Sequence, residues 1–297
     1  MEKTPPCPTQ EITDIVWDAD NTIWNWVTYA VHAYEAMSQC IASETGIPEP
    51  YVAAAMKRFY TDVGTLENEF LIQGLQAMGF FKKVPKLNLE DLIHKAQATF
   101  SRVRSKYLQL YEGIDLIFQE THRIGIKNHI LTDAPGFQAS MRLQHFGLGE
   151  LVESVNTMPA ADPKTLPKKF KERQRKGKYK VPFTVRVVDK EKPYTDLEKI
   201  LHLTRDQIRQ RVAVIGDNLA KDGKLAIRYG CRYGLARYGF AGEDLLKRLL
   251  RFAPARTAKK NVAIEENPEI SDLPENIKLI NTSSDLADFI GISIKIH

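Results

Sequence analysis

Two pairs of acidic residues each follow an apolar run that is typical of a buried strand. Asp18 and Asp20 come at the end of ITDIVW, and Asp217 and Asp222 follow VAVIG. Ligands of open parallel sheets bind at the carboxyl ends of the strands, so carboxylates at two such ends would converge on one cleft. Close carboxylates repel one another unless a cation lies between them, and Mg²⁺ accepts one or two carboxylates together with phosphate oxygens. The pattern therefore predicts a site for magnesium and a phosphate group.

Four motifs in a fixed order extend this pattern. They are Asp18-Ala19-Asp20-Asn21-Thr22, Thr132 in HILTD, Lys192-Pro193, and the run from Gly216-Asp217 to Asp222. The set resembles the haloacid dehalogenase (HAD) superfamily in its phosphatase branch. That family has Asp-x-Asp-x-Thr/Val, a Ser or Thr that ends a strand, a Lys, and Gly-Asp with a second acid downstream. The resemblance covers about residues 12–290, with insertions; each motif alone is common, whereas four in this order are specific.

The resemblance implies a role for each acidic residue. Asp18 would attack phosphorus and form an aspartyl-phosphate. Asp20 would give a proton to the leaving oxygen and then take one from the attacking water, and an acid at this position argues against dehalogenase chemistry. Asp217 would bind Mg²⁺ together with Asp18 and the backbone carbonyl of Asp20. Asp222 would act from outside this set, by orienting a bound water or Lys192.

The resemblance also implies which groups bind the substrate phosphate. Thr132 would donate a hydrogen bond to a phosphoryl oxygen, and Lys192 would offset negative charge on the phosphate and on Asp18. Further donors would be the backbone N–H groups of Ala19, Asp20 and Asp133. Lys190 is the alternative for the third motif, although the proline that follows Lys192 favours Lys192.

The elements that must position these residues are of two kinds. Between the first two motifs, apolar residues recur at helical spacing and predict a bundle of helices at about 27–42, 51–60, 66–79 and 89–111. Elsewhere, short apolar strands alternate with helices, which implies a parallel sheet covered on both faces. We predict strands at 12–17, 128–131, 151–155, 212–215, 232–235 and 277–280. The corresponding helices are predicted at 114–124, 138–146, 196–203, 219–229, 243–252 and 284–290.

The fold class that follows is α/β, a Rossmann-like parallel sheet core with a helical-bundle cap domain. Residues 1–26 and 111–297 would form the core, with a basic insertion at about 156–182, and residues 27–110 would form the cap. In the resembled family, a domain inserted between the first two motifs covers the site. It would exclude water and choose the leaving group. Trp24 and Trp26 lie where the chain leaves the core, so they would either line the cleft or, as we favour, pack at the hinge.

Charge and composition limit the other classes of function. The net charge of +5 comes from one segment, 164–180, which carries nine basic residues and one acid. This segment could attract an anionic substrate or a nucleic acid, with Phe170 and Tyr179 available for base stacking; a solvated loop is the favoured interpretation. Scattered cysteines and the absence of a long apolar run in the sequence predict a cytoplasmic protein without a membrane segment.

The function predicted on these grounds is a magnesium-dependent phosphatase that hydrolyses a small phosphomonoester. Two alternatives stay open at this point. A phosphomutase would use the same Asp18 and Asp20, and a protein that binds a nucleic acid or a partner would act through the basic segment 164–180. The substrate and the oligomeric state do not follow from the sequence.

Overall fold

The computed structural model describes residues 11–68, 70–159, 181–254 and 276–294. The basic segment 164–180 lies outside these ranges, as does most of the predicted insertion at 156–182. The predictions that concern it therefore stay predictions.

A parallel sheet of seven strands forms the centre of the described chain. The strands are β1 (Asp14–Trp17), β2 (Lys127–Pro135), β3 (Ser154–Met158), β4 (Thr184–Val187), β5 (Val212–Gly216), β6 (Arg232–Ala236) and β7 (Ile277–Ile280). Their order across the sheet is β4-β3-β2-β1-β5-β6-β7, and every neighbouring pair is parallel. The predicted parallel α/β fold is confirmed, and β4 at the edge is a strand that the sequence interpretation lacked.

Both faces of the sheet are buried, because alternate strand residues enter two different hydrophobic cores. On β1, Ile15 and Trp17 belong to a larger core that also includes side chains of the helices between β1 and β2. Val16 between them belongs to a smaller core on the opposite face, together with Val212 and Val214 of β5. Apolar residues at consecutive positions are what a strand covered on both faces requires.

After β1, the first elements of the described chain are four helices, which we call the inserted helices. They are α1 (Trp26–Thr45), α2 (Glu49–Val63), α3 (Leu71–Ala77) and α4 (Leu89–Tyr107). Asn88 caps α4, since its side chain accepts a hydrogen bond from the Asp91 N–H at 3.2 Å. The start predicted for the third helix is wrong: Leu66 lies in irregular backbone, and α3 begins at Leu71.

The inserted helices join the rest of the chain through two segments that run side by side. The Asn25 N–H donates to the Gln109 carbonyl at 3.1 Å, and the Tyr111 N–H donates to the Ile23 carbonyl at 3.1 Å. The Asn25 side chain accepts a further bond from the Gln109 N–H at 2.9 Å. The inserted helices therefore leave and rejoin the rest of the chain near residues 25 and 109. The division into two domains remains a prediction.

The remaining helices cover the sheet. They are α5 (Ile114–Arg123), α6 (Gly136–His145), α7 (Leu197–Leu201), α8 (Arg205–Arg211), α9 (Lys224–Tyr229), α10 (Glu243–Leu249) and α11 (Ser283–Ile290), with a π-helical turn, Leu219–Gly223, before α9. α10 also contacts the inserted helices. Arg248 pairs with Glu35 of α1 at 2.7 Å, and Arg251 just beyond α10 pairs with Glu49 of α2 at 2.6 Å. None of the helices in the described ranges has the length and apolar content of a bilayer-spanning segment.

Candidate active site

The register of the central strands brings the predicted site residues to the carboxyl ends of these strands. Trp17 of β1 lies beside Ile130 of β2 and Ile215 of β5. All three strands run in the same direction, so the residues that follow these positions lie together at the carboxyl end of the sheet. Asp18 continues β1 closely, since its N–H donates to the Ile215 carbonyl at 2.8 Å.

A buried cluster of charges forms around Asp18. The Lys192 ammonium contacts the Asp18 carboxylate and lies 2.6 Å from Asp222 Oδ1. Burial alone would lower the pKa of Lys192, but the carboxylates of Asp18 and Asp222 raise it above its usual value, so this lysine is a cation. The structure thus places Lys192 at the site, whereas Lys190 is exposed.

Asp217 adds a third carboxylate to this cluster. One carboxylate oxygen from each of Asp18, Asp217 and Asp222 lies within 4.8 Å of the other two. Burial raises the pKa of Asp217 well above its usual range, and the neighbouring carboxylates raise it further. Burial also raises the pKa of Asp222 to about 6, against the lowering effect of Lys192. Three buried carboxylates with hard oxygen donors are a set that fits a magnesium ion, which would balance the negative charge that Lys192 leaves.

Two glycines allow the backbone to come this close together. A side chain at Gly216 would place its Cβ only 2.4 Å from the carboxyl carbon of Asp222. A side chain at Gly239 would place its Cβ 1.6 Å from the Asn21 carbonyl oxygen. Asn21 itself adopts a positive φ of 61°, and its side-chain oxygen accepts a bond from the Val27 N–H at 3.1 Å. The close approach of Asn21 to Gly239 and its hydrogen bond to Val27 hold the loop between Asp18 and α1 in place.

Asp20 lies beside the cluster, with partners of its own. Its Oδ1 atom accepts hydrogen bonds from Trp24 Nε1 at 2.6 Å and from Arg142 Nη1 at 3.0 Å. Burial raises the pKa of Asp20 to about 7, and the lowering effects of Arg142 and Trp24 do not cancel this rise. The two adjacent acids of the first motif therefore lie in different surroundings: Asp18 faces Lys192, whereas Asp20 faces Trp24 and Arg142.

Arg142 connects Asp20 to the inserted helices. Its side chain is 5% exposed, and its guanidinium also pairs with Glu67, which lies between α2 and α3. Glu67 Oε1 accepts a second bond from Trp26 Nε1 at 3.0 Å. Trp24 and Trp26 are both buried, as the hinge interpretation expected, but each also donates a hydrogen bond to an acid at the site.

Thr132 and Asp133 lie in the second half of β2 and line the cleft. Thr132 is buried, and its hydroxyl accepts a bond from the Ala134 N–H at 3.1 Å, which leaves the hydroxyl proton available as a donor. The carboxylate of Asp133 pairs with Lys221 from the π-helical turn. This pair joins the second motif to the fourth across the mouth of the cleft.

A cleft of about 310 Å³ lies over these residues. The predicted site residues that line it are Asp18, Asp20, Thr132, Asp133, Lys192, Asp217 and Asp222. Its opposite wall is formed by Trp26 of α1 and by the segment 64–67, which connects the inserted helices α2 and α3. The cleft therefore lies between the carboxyl end of the sheet and the inserted helices, where a bound molecule would contact both.

Sequence reasoning missed Arg142 and Glu67, which connect Asp20 to the inserted helices. Arg142 had a local signal, since it lies on the apolar stripe of α6 that Ala139, Leu143 and Phe146 define by helical spacing. A charged residue on such a stripe is buried and needs a partner. Glu67 had no comparable signal, because it lies in irregular backbone.

Comparison with known proteins gives likenesses to solved structures. No protein-family model matches the chain, and no curated protein matches it. The chain is similar to a protein from Bacillus subtilis, YfnB, described as a HAD-hydrolase bound to magnesium. That likeness has 13% identity, covers 95% of this chain and 100% of the other, and has a TM-score of 0.45.

Two other likenesses have similar values. A HAD phosphatase from Thermococcus onnurineus has 17% identity, with 94% of this chain and 98% of the other covered, and a TM-score of 0.46. A haloacid dehalogenase-like family hydrolase, SP0104 from Streptococcus pneumoniae, has 14% identity, with 82% and 91% covered, and a TM-score of 0.38.

Proposed function

We propose that the chain is a HAD-type, magnesium-dependent phosphatase that hydrolyses a small phosphomonoester through an aspartyl-phosphate on Asp18. The observation that carries this proposal is the contact of Lys192 with Asp18 inside a cluster of three buried carboxylates. A structural salt bridge needs one carboxylate for one ammonium. Two further buried acids would be costly without a second cation, so the arrangement favours a site built to bind a cation and an anionic group.

Asp18 is the group best placed to act as the nucleophile. It follows β1 directly, lines the cleft, and has a carboxylate held by Lys192. Attack of one carboxylate oxygen on phosphorus would form an acyl phosphate and release the alcohol, and water would then cleave the acyl phosphate and restore the carboxylate. Lys192 would stabilise the negative charge on the transferring group in both steps.

Asp20 would supply the proton for the departing alcohol and take one from the attacking water. Its two hydrogen-bond donors, Trp24 and Arg142, would hold the carboxyl group at the side of the cleft that faces the insertion. The leaving group would consequently lie towards Trp26 and the segment 64–67, which form that wall. Thr132 and the Asp133 N–H would bind the phosphoryl oxygens from the opposite side.

Magnesium would be held by Asp18, Asp217 and the backbone carbonyl of Asp20, with Asp222 bound to Lys192 beside them. The ion would supply charge neutralisation at the phosphoryl oxygens. Asp222 would keep Lys192 directed at Asp18, because its Oδ1 lies 2.6 Å from the ammonium and the Asn218 N–H holds its other oxygen at 3.3 Å.

A screen against phosphorylated metabolites in the presence of magnesium tests this proposal. We expect phosphate release from a small monoester, its loss on chelation of the metal, and no detectable turnover by Asp18→Asn. Asp206→Asn is the matched control, because Asp206 is highly exposed on α8. Full activity in Asp18→Asn would contradict the assignment of the nucleophile, and activity that needs a bisphosphate activator would favour a phosphomutase.

A phosphoenzyme assay tests the intermediate separately. With a labelled substrate and a rapid acid quench, the wild-type chain should carry label that hydroxylamine releases, as an acyl phosphate does. Asp20→Asn should retain this label longer than the wild type, because hydrolysis of the acyl phosphate then lacks its base. Release of phosphate without any labelled protein would show that water attacks the substrate directly.

A further inference from the structure

Arg142 makes more contacts than a tie between α6 and the inserted helices requires. One guanidinium nitrogen, Nη1, donates to Asp20 Oδ1 at 3.0 Å, and the other, Nη2, pairs with Glu67. The guanidinium carbon lies 5.8 Å from the ring centre of Trp24 and 5.3 Å from that of Tyr29. The side chain is 5% exposed, so four neighbours surround a planar group that is always charged and fix its orientation.

The two donors that hold Asp20 both bind the same oxygen. Trp24 Nε1 lies 2.6 Å and Arg142 Nη1 lies 3.0 Å from Asp20 Oδ1. An oxygen that accepts two N–H bonds has used both of its lone pairs, so it does not carry the proton of a neutral carboxyl group. A proton on Asp20 is therefore expected on Oδ2. Because a carboxyl group is planar, the donors that fix Oδ1 also fix where Oδ2 lies.

Glu67 holds Arg142 from the side of the inserted helices. Its side chain is 8% exposed, and its Oε1 atom accepts bonds from Arg142 Nη2 and from Trp26 Nε1, the latter at 3.0 Å. A buried arginine that lost this carboxylate would keep a poorly compensated charge. Glu67 also belongs to the segment 64–67, which forms one wall of the candidate active site. One side chain thus connects that wall to Asp20.

We propose that Arg142 is a positioning residue for Asp20, and that Glu67 keeps Arg142 in place from the inserted helices. As Asp18 attacks phosphorus and the bond from phosphorus to the alcohol oxygen breaks, the proton on Asp20 Oδ2 passes to that oxygen. As water then attacks phosphorus and the acyl phosphate breaks, a proton of the water returns to Oδ2. The proton transfer rests on the proposed function, whereas the position of Asp20 does not.

The indole N–H groups of the three tryptophans report on this arrangement without substrate or metal. Each donates to a different part of the structure: Trp24 to Asp20, Trp26 to Glu67 at 3.0 Å, and Trp17 to Asn128 at 2.9 Å. Their signals in a ¹⁵N–¹H spectrum can be assigned with variants in which each tryptophan is replaced by phenylalanine. The Trp17 signal then serves as an internal reference for an intact core.

Glu67→Gln removes the charge that holds Arg142 and keeps the side-chain volume. The Trp26 signal should shift because its acceptor changes. The Trp24 signal should shift as well, because a displaced Arg142 no longer holds Asp20 in the same position. The Trp17 signal should stay where it is in the wild type.

Two aryl phosphates of similar size test the effect on proton transfer. Phenyl phosphate needs a proton on its leaving oxygen, whereas 4-nitrophenyl phosphate releases an anion that is stable without one. The value of kcat/KM covers the steps up to release of the phenol, so hydrolysis of the acyl phosphate does not enter it. In Arg142→Lys, a single ammonium replaces the fork that holds Asp20 and Glu67 together. It should lower kcat/KM for phenyl phosphate at least about tenfold more than for 4-nitrophenyl phosphate, as the loss of general acid catalysis does.

Three further variants accompany Arg142→Lys. Asp20→Asn is the reference, because it removes the proton donor itself and should show the same selective loss. Arg123→Met is the matched control, because its side chain is 68% exposed and pairs with Glu120 of the same helix; it should leave both values of kcat/KM unchanged. Should Arg142→Lys fail to fold, Glu67→Gln should show the selective loss in its place.

Distinct results would overturn the inference and the proposed function. Selective loss in Asp20→Asn, together with equal losses for both phosphates in Arg142→Lys and Glu67→Gln, would show that Arg142 supports the fold and does not position Asp20. An unmoved Trp24 signal in Glu67→Gln would show that the inserted helices do not act on Asp20. Equal losses in Asp20→Asn would instead refute the proton transfer assigned to Asp20 in the proposed function, and with it the proton-transfer step of this inference.

Discussion

Replacing Lys192 with methionine removes the cation from the charge cluster and keeps most of the side-chain volume. The Lys192 side chain is 3% exposed and contacts two carboxylates, one of them 2.6 Å away and itself 2% exposed. Lys190→Met, at an exposed position two residues earlier, removes the same charge without touching the cluster. The pair of variants therefore separates the effect of the buried contact from the effect of net charge.

The expected loss of stability follows from the buried carboxylates that remain after the substitution. Removing one partner of a buried ion pair leaves an uncompensated charge and costs about 3–5 kcal/mol of the free energy of unfolding. Lys190→Met should change that free energy by no more than about 0.5 kcal/mol, as exposed substitutions do. Under the proposed function, Lys192→Met should also reduce kcat by about a hundredfold or more, since a charge-stabilising donor is lost from the transition state.

Urea denaturation at pH 7, in buffer with chelator, measures the first effect with the midpoint and slope of each variant. Phosphate release with magnesium measures the second, on protein that still folds. A Lys192→Met protein within about 1 kcal/mol of Lys190→Met would show that the contact seen in the structure does not balance the cluster. Normal turnover by Lys192→Met would remove this lysine from the catalytic assignment.

Three further predictions concern the metal, the contact between insertion and core, and the backbone at the site. Magnesium at a hundred times its Kd should raise the free energy of unfolding by about 2.7 kcal/mol, and Asp217→Asn should lose this rise in urea titrations; an equal rise in both proteins would place the ion elsewhere. Arg248 lowers the pKa of Glu35 by a hydrogen bond, so Glu35→Gln should cost at most about 1 kcal/mol at pH 7. The stabilisation from a depressed carboxyl pKa is fully present above the unfolded value of 4.5 and is lost as pH falls through the lowered pKa; a constant difference in denaturation series from pH 7 to pH 3 would contradict this. Gly216→Ala should cost about 1–3 kcal/mol and abolish turnover, because its Cβ would meet the carboxyl group of Asp222, and a thermal melt and activity assay like those of the wild type would refute the close approach.

Strong local patterns predicted the central elements well. The apolar runs before Asp18 and before Asp217 are β1 and β5, and α4 begins at Leu89, where a helix is predicted. These elements depend on neighbouring residues, through apolar periodicity and side-chain caps, and such interactions are visible in a single sequence.

Elements with weak local patterns were missed or misplaced. β4 has the sequence TVRV, and its residues are intermediate or exposed, so it lacks the apolar run of a central strand. It is a strand because β3 provides a parallel neighbour at the edge of the sheet. α8 begins with a capping box of Thr204 and Gln207, which is a local signal, but it is short and has only Ile208 buried.

The surroundings of Asp20 illustrate the limit for the site. Its contact with Arg142 joins residues 122 positions apart, and the contact of Arg142 with Glu67 joins residues 75 apart. Nothing in the neighbourhood of any one of the three indicates the other two.

The sequence by itself determined the chemistry that is available: the two acids after β1, the lysine, and the acids after β5, each next to the element that would carry it. These features are local, because a strand and the loop that ends it are specified by adjacent residues. Only the tertiary structure decided that Lys192 rather than Lys190 contacts Asp18, and that Trp24 and Arg142 surround Asp20. Those choices depend on the packing of distant segments, in which buried charges must find partners wherever the fold brings them together.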